Sequence, residues 1–206
     1  MRYKLVIGAG SPLVIACEAW RSARPDLQLL PIEVEQDQAY AFDLSFLSGY
    51  SPDQASAFTA FDNRFLNFKR LELMGLVKSR GFKLEPFVSP RALVSQTAQV
   101  GENCFVDDGA TLGPRAELQY NCFLGARGVI GMDAKVGHSV WIEPAAVVGC
   151  GAKIGPHTTV GTGVIIADGV ELGRCCVVDV PGKYRRNIPA KTFINPEFDE
   201  PIRTVN

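Results

Sequence analysis

The chain has few of the features that would assign it at once to a broad class of proteins. Its 206 residues carry 21 Lys and Arg against 22 Asp and Glu, giving a net charge of −1. That balance predicts neither a nucleic-acid partner nor an anionic membrane partner. No apolar run approaches the roughly 20 residues of a membrane span. The N-terminal segment MRYKLVIGAG resembles the start of a strand more than a signal peptide.

Histidine is scarce, and cysteine lacks metal-binding spacing. The two histidines are His138 and His157, and the six cysteines form no CxxC pair. A zinc enzyme with three histidine ligands in one chain is therefore excluded, and we expect neither a metal nor a disulfide framework. Free cysteines acting as small hydrophobes fit a reducing compartment, so we expect a cytoplasmic protein.

What the sequence does contain is a repeat. Every sixth residue from Val88 to Val178 is Val, Leu or Ile, with no gap and no change of register. A hexapeptide period is typical of a parallel β-helix. The fifth residue of each hexad is usually small, and Pro or Gly/Asn recurs at the third and fourth, as in tight turns whose second central residue has φ > 0. Each hexad therefore predicts a short strand plus a corner, and three hexads close one triangular coil.

The sixth residue of each hexad is predicted to point outward, which gives three stripes. One stripe is charged (Gln99, Glu117, Lys135, Lys153, Glu171), one is mostly aliphatic (Leu93, Thr111, Val129, Val147, Ile165) and one begins with aromatic residues (Phe105, Phe123, Trp141, Thr159, Val177). Two dissimilar apolar stripes predict a homotrimer of parallel prisms, because each stripe can be buried against a neighbouring copy. The alternative is that the N-terminal domain covers one of them.

The first 85 residues carry no such repeat. The predicted elements are strands at 4–8 and 27–34, helices at 12–22 and 62–81, and a third strand or helical turn at 39–46. Ser11 is the predicted N-cap of the first helix, with Pro12 in its first turn. Strand, glycine turn, helix and strand form a half-Rossmann pattern whose turn can hold a phosphate. A strand-to-helix turn without a ligand is the alternative.

The predicted organisation is a small α/β Rossmann-like domain (1–85), an all-β parallel β-helix (86–182) and a C-terminal tail (183–206). This arrangement resembles the hexapeptide-repeat sugar acetyltransferases of the sialic-acid O-acetyltransferase and bacillosamine N-acetyltransferase type. Besides the hexads, the residues that carry the resemblance are VIGAG at 6–10, FDN at 61–63, FVSPRALVSQTAQVG at 87–101 and NIPAK at 187–191. The resemblance implies a left-handed β-helix, a trimer, and acetyl transfer from acetyl-CoA to a nucleotide-linked amino sugar.

The resemblance also implies site residues. The glycine turn and the acidic residue after the second strand hold the sugar nucleotide in that family, which corresponds here to Gly8, Gly10, Ser11 and Glu33. Pro12 departs from the family pattern and removes an N–H that could have met a phosphate. The positions that correspond to CoA contacts, in a groove between neighbouring prisms, are Lys135, Pro156 and Arg174.

The catalytic position departs further from the family. A His-Glu pair usually stands where this chain has Ala126 and Arg127, and alanine accepts no proton. His138 is the predicted replacement base, because an imidazole of near-neutral pKa suits that role and because this corner borders the predicted groove. His157 occupies the same corner one coil later. The alternatives are an exposed His138 packed on Trp141, a role for the neighbouring Asp107 and Asp108, and transfer without a side-chain base.

Three functions remain open on the sequence alone. Acetyl-CoA-dependent N-acetylation of a nucleotide-linked amino sugar is the first, and it suits an amine that needs little help to lose its proton. A non-catalytic trimeric scaffold or binding protein that has lost the usual histidine is the second. O-acetylation of a sugar or another small acceptor is the third, and the missing base argues most strongly against it, because a sugar hydroxyl has a very high pKa.

Overall fold

The computed structural model describes residues 3–204. The chain divides into two compact units, Met1–Phe87 and Val88–Asn206. The division lies two residues beyond the boundary predicted from the sequence.

The first unit is a parallel sheet with two helices. Its elements are β1 (Tyr3–Gly8), α1 (Gly10–Ala23), β2 (Gln28–Glu33), β3 (Ala55–Ala60), α2 (Phe68–Lys78) and β4 (Lys83–Leu84), with 3₁₀ segments at Ser45–Gly49 and Arg64–Asn67. All strands are parallel in the order β2-β1-β3-β4. This is the Rossmann-like topology predicted, and the strand order reverses between β1 and β3, where such sheets bind ligands.

Three details of this unit differ from the sequence prediction. Ala9, not Ser11, is the N-cap of α1, and because its methyl side chain has no acceptor it makes no side-chain cap bond. The predicted element at 39–46 is mainly a loop that leads into the 3₁₀ segment Ser45–Gly49. The sheet instead gains β3 and β4, whose residues show no apolar alternation. The alanine-rich β3 (ASAFTA) is almost entirely buried.

The second predicted helix begins later than expected because the chain first makes a left-handed turn. Phe65, Leu66 and Asn67 have φ values of 53°, 53° and 62°. Left-handed conformations are strained for residues other than glycine. Regular helix therefore starts at Phe68, and Gly81, with φ 88°, follows its end.

The second unit is a three-sided parallel β-helix. The strand β5 (Phe87–Val88) lies at the junction between the units. The charged sheet contains β7 (Gln99–Val100), β10 (Glu117–Leu118), β13 (Lys135–Val136), β16 (Lys153–Ile154) and β19 (Glu171–Leu172). The aliphatic sheet contains β6 (Leu93–Val94), β9 (Thr111–Leu112), β12 (Val129–Ile130), β15 (Val147–Val148), β18 (Val164–Ile166) and β21 (Gly182–Tyr184). The aromatic sheet contains β8 (Phe105–Val106), β11 (Phe123–Leu124), β14 (Trp141–Ile142), β17 (Thr159–Val160), β20 (Val177–Val178), β22 (Thr192–Ile194) and the antiparallel β23 (Ile202–Arg203).

The hexad positions behave as predicted. The aliphatic first residues and small fifth residues form the core of the prism from Cys104 to Val178. At every fourth residue from Asn103 to Cys175, φ is positive, whether the residue is Gly, Asn, Arg, Asp, Ser, Ala, His or Cys. The repeat therefore fixes the backbone of each corner strongly enough to override the cost of a left-handed conformation.

The outer stripes are exposed to different degrees. On the aliphatic sheet, Leu93 is 69% exposed and Ile165 37%. On the aromatic sheet, Phe105, Phe123 and Trp141 stack with ring centroids 5.4 and 4.0 Å apart. Phe105 and Trp141 are nevertheless 3% and 9% exposed. The aromatic stripe is therefore largely buried within one chain, whereas the aliphatic stripe is the more accessible apolar surface.

The C-terminal segment belongs structurally to the β-helix unit. β21 continues the aliphatic sheet, and β22 and β23 continue the aromatic sheet. Tyr184 fixes the start of this segment, since its hydroxyl donates to the Val180 carbonyl at 2.7 Å. Within residues 3–204, neither helix has the length and apolar character needed to cross a bilayer.

Candidate functional site

The edge between the charged and aromatic sheets, which we call the histidine corner, carries most of the predicted site. Its third-position residues are Glu102, Tyr120, His138, Pro156 and Arg174, one from each successive coil. The coils are joined there by backbone bonds from His157 N–H to the His138 carbonyl (3.2 Å) and from Cys175 N–H to the Pro156 carbonyl (2.9 Å). His138, Pro156 and Arg174, predicted separately, therefore lie in one column.

The His138 ring is held between two aromatic neighbours. It stacks on Tyr120 with ring centroids 4.8 Å apart and an interplanar angle of 1°. On the other side it meets His157 edge-to-face at 5.0 Å. The predicted proximity of the two histidines is thus found. The ring is partly exposed, and burial lowers the pKa of His138 below its usual value, which favours the neutral imidazole near pH 7.

A buried polar ladder runs inside the same corner, and the sequence reasoning missed it. The Asn103 amide donates to the Asn121 amide oxygen at 2.9 Å, and the Asn121 amide donates to Ser139 Oγ at 3.0 Å. All three side chains are fully buried. The signal was present in the sequence, since these polar residues occupy equivalent fourth positions of successive coils. As fourth-position residues, they are predicted only to form the corner turns.

Lys135 lies beside this column on the charged sheet. Its ammonium contacts Glu117 at 3.2 Å, and one coil later Lys153 contacts Glu171 at 2.6 Å. Both pairs are well exposed, so the lysines can exchange these partners for a ligand anion at little cost. The structure thus brings three of the predicted cofactor and catalytic residues into one column and places Lys135 on the adjacent face.

The corner that holds Ala126 has a different chemistry. Asp108 is clamped by the Arg91 guanidinium and by the Ser89 hydroxyl, which together hold the pKa of that carboxyl below its usual range. Burial raises the pKa of the neighbouring Asp107, although N–H groups of Asp108 and Ala126 partly oppose this effect. Asp107 is therefore the acidic side chain that lies against Ala126.

In the first unit, the predicted sugar-nucleotide residues meet at the carboxyl edge of the sheet. Gly8 pairs with Glu33 in the parallel register of β1 and β2. A side chain at Gly8 is excluded, because its Cβ would lie 1.7 Å from the Ala60 carbonyl oxygen. Gly10, with φ 58°, faces open space, and Ser11 and Glu33 are exposed. Gly8 itself is buried, so Gly10, Ser11 and Glu33 form the accessible part of this edge.

Pro12 reduces the number of backbone N–H groups that this edge can donate to a ligand. It is the third residue of α1, where N–H groups have no partner inside the helix. Leu13, four residues after the N-cap Ala9, makes the first intrahelical bond, and the Ala9 N–H donates to the Ala60 carbonyl, so the first turn offers only the N–H groups of Gly10 and Ser11. The helix terminus keeps its favourable dipole but has a smaller set of donors for a phosphate.

Two loops of the first unit meet beyond β2 and β3. Phe42 packs edge-to-face on Phe61 at 5.1 Å, and the Lys69 ammonium donates to the Tyr40 carbonyl at 2.8 Å. A cavity of about 460 Å³ lies along the first loop, lined by Glu35, Gln36, Asp37, Ala41, Phe42 and Asp43. Asp62, two residues after the end of β3, contacts Arg64 at 2.6 Å. Sequence reasoning noted FDN as a motif but missed that Asp62 lies close to the carboxyl end of β3, at the switch point of the sheet.

No group of three or more His, Cys, Asp and Glu side chains suited to a metal ion occurs across residues 3–204. All six cysteines are free thiols.

The sequence matches none of the known protein-family models and no curated protein sequence. Its structure, in contrast, superposes on solved structures over nearly its full length. PerB from Caulobacter crescentus, in complex with CoA and GDP-perosamine, has a TM-score of 0.81 at 20% identity, covering 94% of this chain and 93% of that one. The acetyltransferase domain of PglB from Neisseria gonorrhoeae FA1090 also has a TM-score of 0.81, at 19% identity over 98% and 100%.

A third similar structure is WeeI from Acinetobacter baumannii AYE, with a TM-score of 0.52 at 19% identity, covering 98% of this chain and 100% of that one. TM-scores of 0.81 over nearly the whole chain establish a shared fold. The prediction of an α/β Rossmann-like unit followed by a left-handed parallel β-helix is therefore confirmed.

Proposed function

We propose that the chain is an acetyl-CoA-dependent N-acetyltransferase that acts on a nucleotide-linked amino sugar. The observation that carries this proposal is the superposition on PerB and on the PglB acetyltransferase domain, which spans both units of the chain. PerB was solved with CoA and GDP-perosamine, which are an acyl carrier and a nucleotide-linked amino sugar. A fold alone does not fix function, so the residues must also suit the chemistry.

The histidine corner suits a thioester. We assign acetyl-CoA to the column formed by His138, Pro156 and Arg174 and to Lys135 beside it. Arg174 and Lys135 supply positive charge for the phosphates of CoA. His138 is the catalytic side chain, partly exposed and with a lowered pKa, so that it is neutral near pH 7. The amine of the acceptor attacks the thioester carbonyl carbon, and the C–S bond breaks to release CoA.

The sheet edge of the first unit suits the nucleotide end of the acceptor. We assign the pyrophosphate to the turn at Gly8, Gly10 and Ser11, where the N–H groups of Gly10 and Ser11 remain available. Glu33 is exposed at the end of β2, where a carboxylate can accept hydrogen bonds from ribose hydroxyls.

We further propose that the active form is a homotrimer in the cytoplasm. Exposed apolar residues of the aliphatic sheet, led by Leu93 at 69%, form a surface that a neighbouring prism can bury. Six free thiols, three of them at buried core positions of the prism, are compatible with a reducing compartment.

The test is product formation by the purified chain with acetyl-CoA. We expect thiol release and an acetylated product, identified by mass spectrometry, with an amino sugar linked to UDP, dTDP or GDP. The matched control is the same nucleotide sugar with a hydroxyl in place of the amine, which should give no product. Acetylation of the hydroxyl form would instead establish the O-acetyltransferase alternative. Absence of both turnover and CoA binding would contradict the proposal and favour the scaffold.

A further inference from the structure

The buried ladder of the histidine corner has a fixed direction. Asn103 donates to Asn121, and Asn121 donates to Ser139, so each amide oxygen or hydroxyl accepts from the coil before it. Ser139 Oγ therefore accepts one hydrogen bond, from Asn121, and its own hydroxyl proton still needs an acceptor. Because Ser139 is fully buried, water does not receive that proton.

One side-chain atom is in position to accept the proton. His138 Nδ1 lies 3.4 Å from Ser139 Oγ, and no other acceptor for this hydroxyl is found in the described part of the chain. If His138 Nδ1 carried a hydrogen instead, Ser139 Oγ would accept twice and its proton would have no partner. A buried donor without an acceptor is costly, so the tautomer with a bare Nδ1 is favoured, by about tenfold or more.

We infer that Ser139 is a positioning residue that holds neutral His138 with its hydrogen on Nε2, so that His138 donates a hydrogen bond to the thioester carbonyl oxygen instead of accepting a proton. This inference rests on the proposed function for its catalytic part. Nε2 has no protein partner among residues 3–204, and the ring is partly exposed, so this N–H is available to a ligand.

The transfer balances without a protein base. The acceptor arrives as a neutral amine after it has lost a proton to solvent. Its nitrogen forms the new bond to the carbonyl carbon, and the Nε2–H of His138 stabilises the negative charge that develops on the oxygen. When the C–S bond breaks, the thiolate takes the electron pair, and the remaining amine proton passes to the sulfur. His138 ends the cycle in its starting state.

The first test measures the tautomer directly and does not depend on turnover. The protein is labelled with ¹⁵N-histidine, and the two ring nitrogens are distinguished by two-bond ¹H–¹⁵N correlation at about pH 8, above the usual histidine pKa. His157→Asn assigns the signals, and asparagine is already found at equivalent corner positions. We expect the proton of His138 on Nε2. A proton on Nδ1 would overturn the inference, whether or not the chain is a transferase.

Two variants separate a positioning role from a merely structural one. Ser139→Ala is tolerated by the backbone, since Ala145 has φ 58° at the equivalent position of the next hexad. It should shift the His138 proton toward Nδ1 and lower kcat/KM by about tenfold. Asn103→Ala breaks the same ladder at its far end and should leave the tautomer unchanged. An equal change of tautomer in both variants would contradict the role of Ser139.

The last arm distinguishes donor from base. Asparagine at position 138 keeps an N–H donor but has no basic nitrogen. We expect His138→Asn to retain at least about tenfold more activity than His138→Ala, whose loss should be about 100- to 1,000-fold. Equal loss in both variants would identify His138 as a base and overturn the inference. An Nε2–H tautomer in a chain that acetylates no amine would instead overturn the proposed function while leaving the tautomer assignment intact.

Discussion

The two units differ in the sequence separation between residues that pair on neighbouring strands. Within the hexads of the β-helix, each strand pairs with the strand three hexads away, as Phe123 does with Phe105 and Trp141. In the α/β unit, Tyr3 pairs with Gln28 on one side and with Ala55 on the other. A constant spacing makes all coils equivalent, so one hexad predicts the next. In the sheet of the α/β unit, the strands are joined by connections of different lengths, so the neighbours of one residue do not predict the neighbours of the next.

The largest expected effect comes from breaking the α/β unit at one of its unique positions. Gly8→Ala would place a Cβ 1.7 Å from the Ala60 carbonyl oxygen, so β1 and β3 must separate. We expect the free energy of unfolding of this unit to fall by at least about 4 kcal/mol. Gly10→Ala is the matched control, since its Cβ meets open space and only the left-handed φ costs about 1–2 kcal/mol. Denaturant unfolding of both variants checks this, and equal losses would contradict it.

The next effect tests the equivalence of the coils. Ile130, Ile142 and Ile166 occupy the same hexad position and are each fully buried. Truncation of any one to alanine should cost about 2–5 kcal/mol, and the three values should agree closely because the surroundings repeat. Val94→Ala, at a 36% exposed position of the first coil, should cost less than about 1 kcal/mol. The coils would not be equivalent if the losses of unfolding free energy at the three isoleucines differed from one another as much as they differ from the loss at Val94.

A third, smaller effect concerns Lys4, a fully buried charge in the α/β unit. Its ammonium contacts Glu85 at 2.9 Å and lies 4.2 Å from the centre of the Trp20 ring. Burial lowers the pKa of Lys4 despite the opposing effect of Glu85. The unfolded chain therefore binds the proton more tightly than the folded one, and stability should rise with pH between the lowered folded pKa and the ordinary unfolded value.

Lys4→Met should remove this rise of stability with pH, which amounts to about 1 kcal/mol per pH unit within the window. The substitution should lower the free energy of unfolding only slightly at neutral pH, because the Glu85 carboxylate is half exposed and remains hydrated without Lys4. The measurement is the free energy of unfolding of both proteins against pH, with Lys83→Met, an exposed lysine on β4, as the control. A parallel pH dependence of wild type and Lys4→Met would contradict the assignment.

The smallest effect is expected on the charged sheet. The Lys153–Glu171 pair is 2.6 Å long, but both side chains are more than half exposed. Lys153→Ala should therefore change the free energy of unfolding by less than about 0.5 kcal/mol, and high salt should remove even that difference. A loss comparable with the buried isoleucine truncations would mean that this stripe is buried in the working assembly.

The same contrast explains which features could be predicted from the sequence. The hexads predicted the strands, the left-handed corner residues and the pairing of His138 with His157, since all of these follow from one repeated geometry. They did not predict the burial of Phe105 and Trp141, because the hexad period sets the direction of a side chain and not what lies above it. The ladder through Asn121 was missed because a turn residue was assumed to serve only its own turn.

The α/β unit was predicted less completely for an equally physical reason. β3 is a central strand, but its alanine-rich sequence has a single β-branched residue, Thr59, and lacks the apolar alternation that indicates strands. Its burial depends on β1 and β4, which lie far away in sequence. The delayed start of α2 depends on a left-handed turn at Phe65–Asn67, and neither Phe65 nor Leu66 has a residue preference for such a turn.

The central claim is that one chain joins an acetyl-CoA site on the β-helix to a nucleotide-sugar site on the α/β unit. Isothermal titration of the intact protein with CoA, and separately with UDP-, dTDP- and GDP-linked amino sugars, tests this claim most directly. We predict saturable binding of CoA that is weakened in Arg174→Ala, and binding of one nucleotide class that is weakened in Glu33→Ala. Binding of neither ligand, or CoA affinity unchanged by Arg174→Ala together with no nucleotide binding, would contradict it.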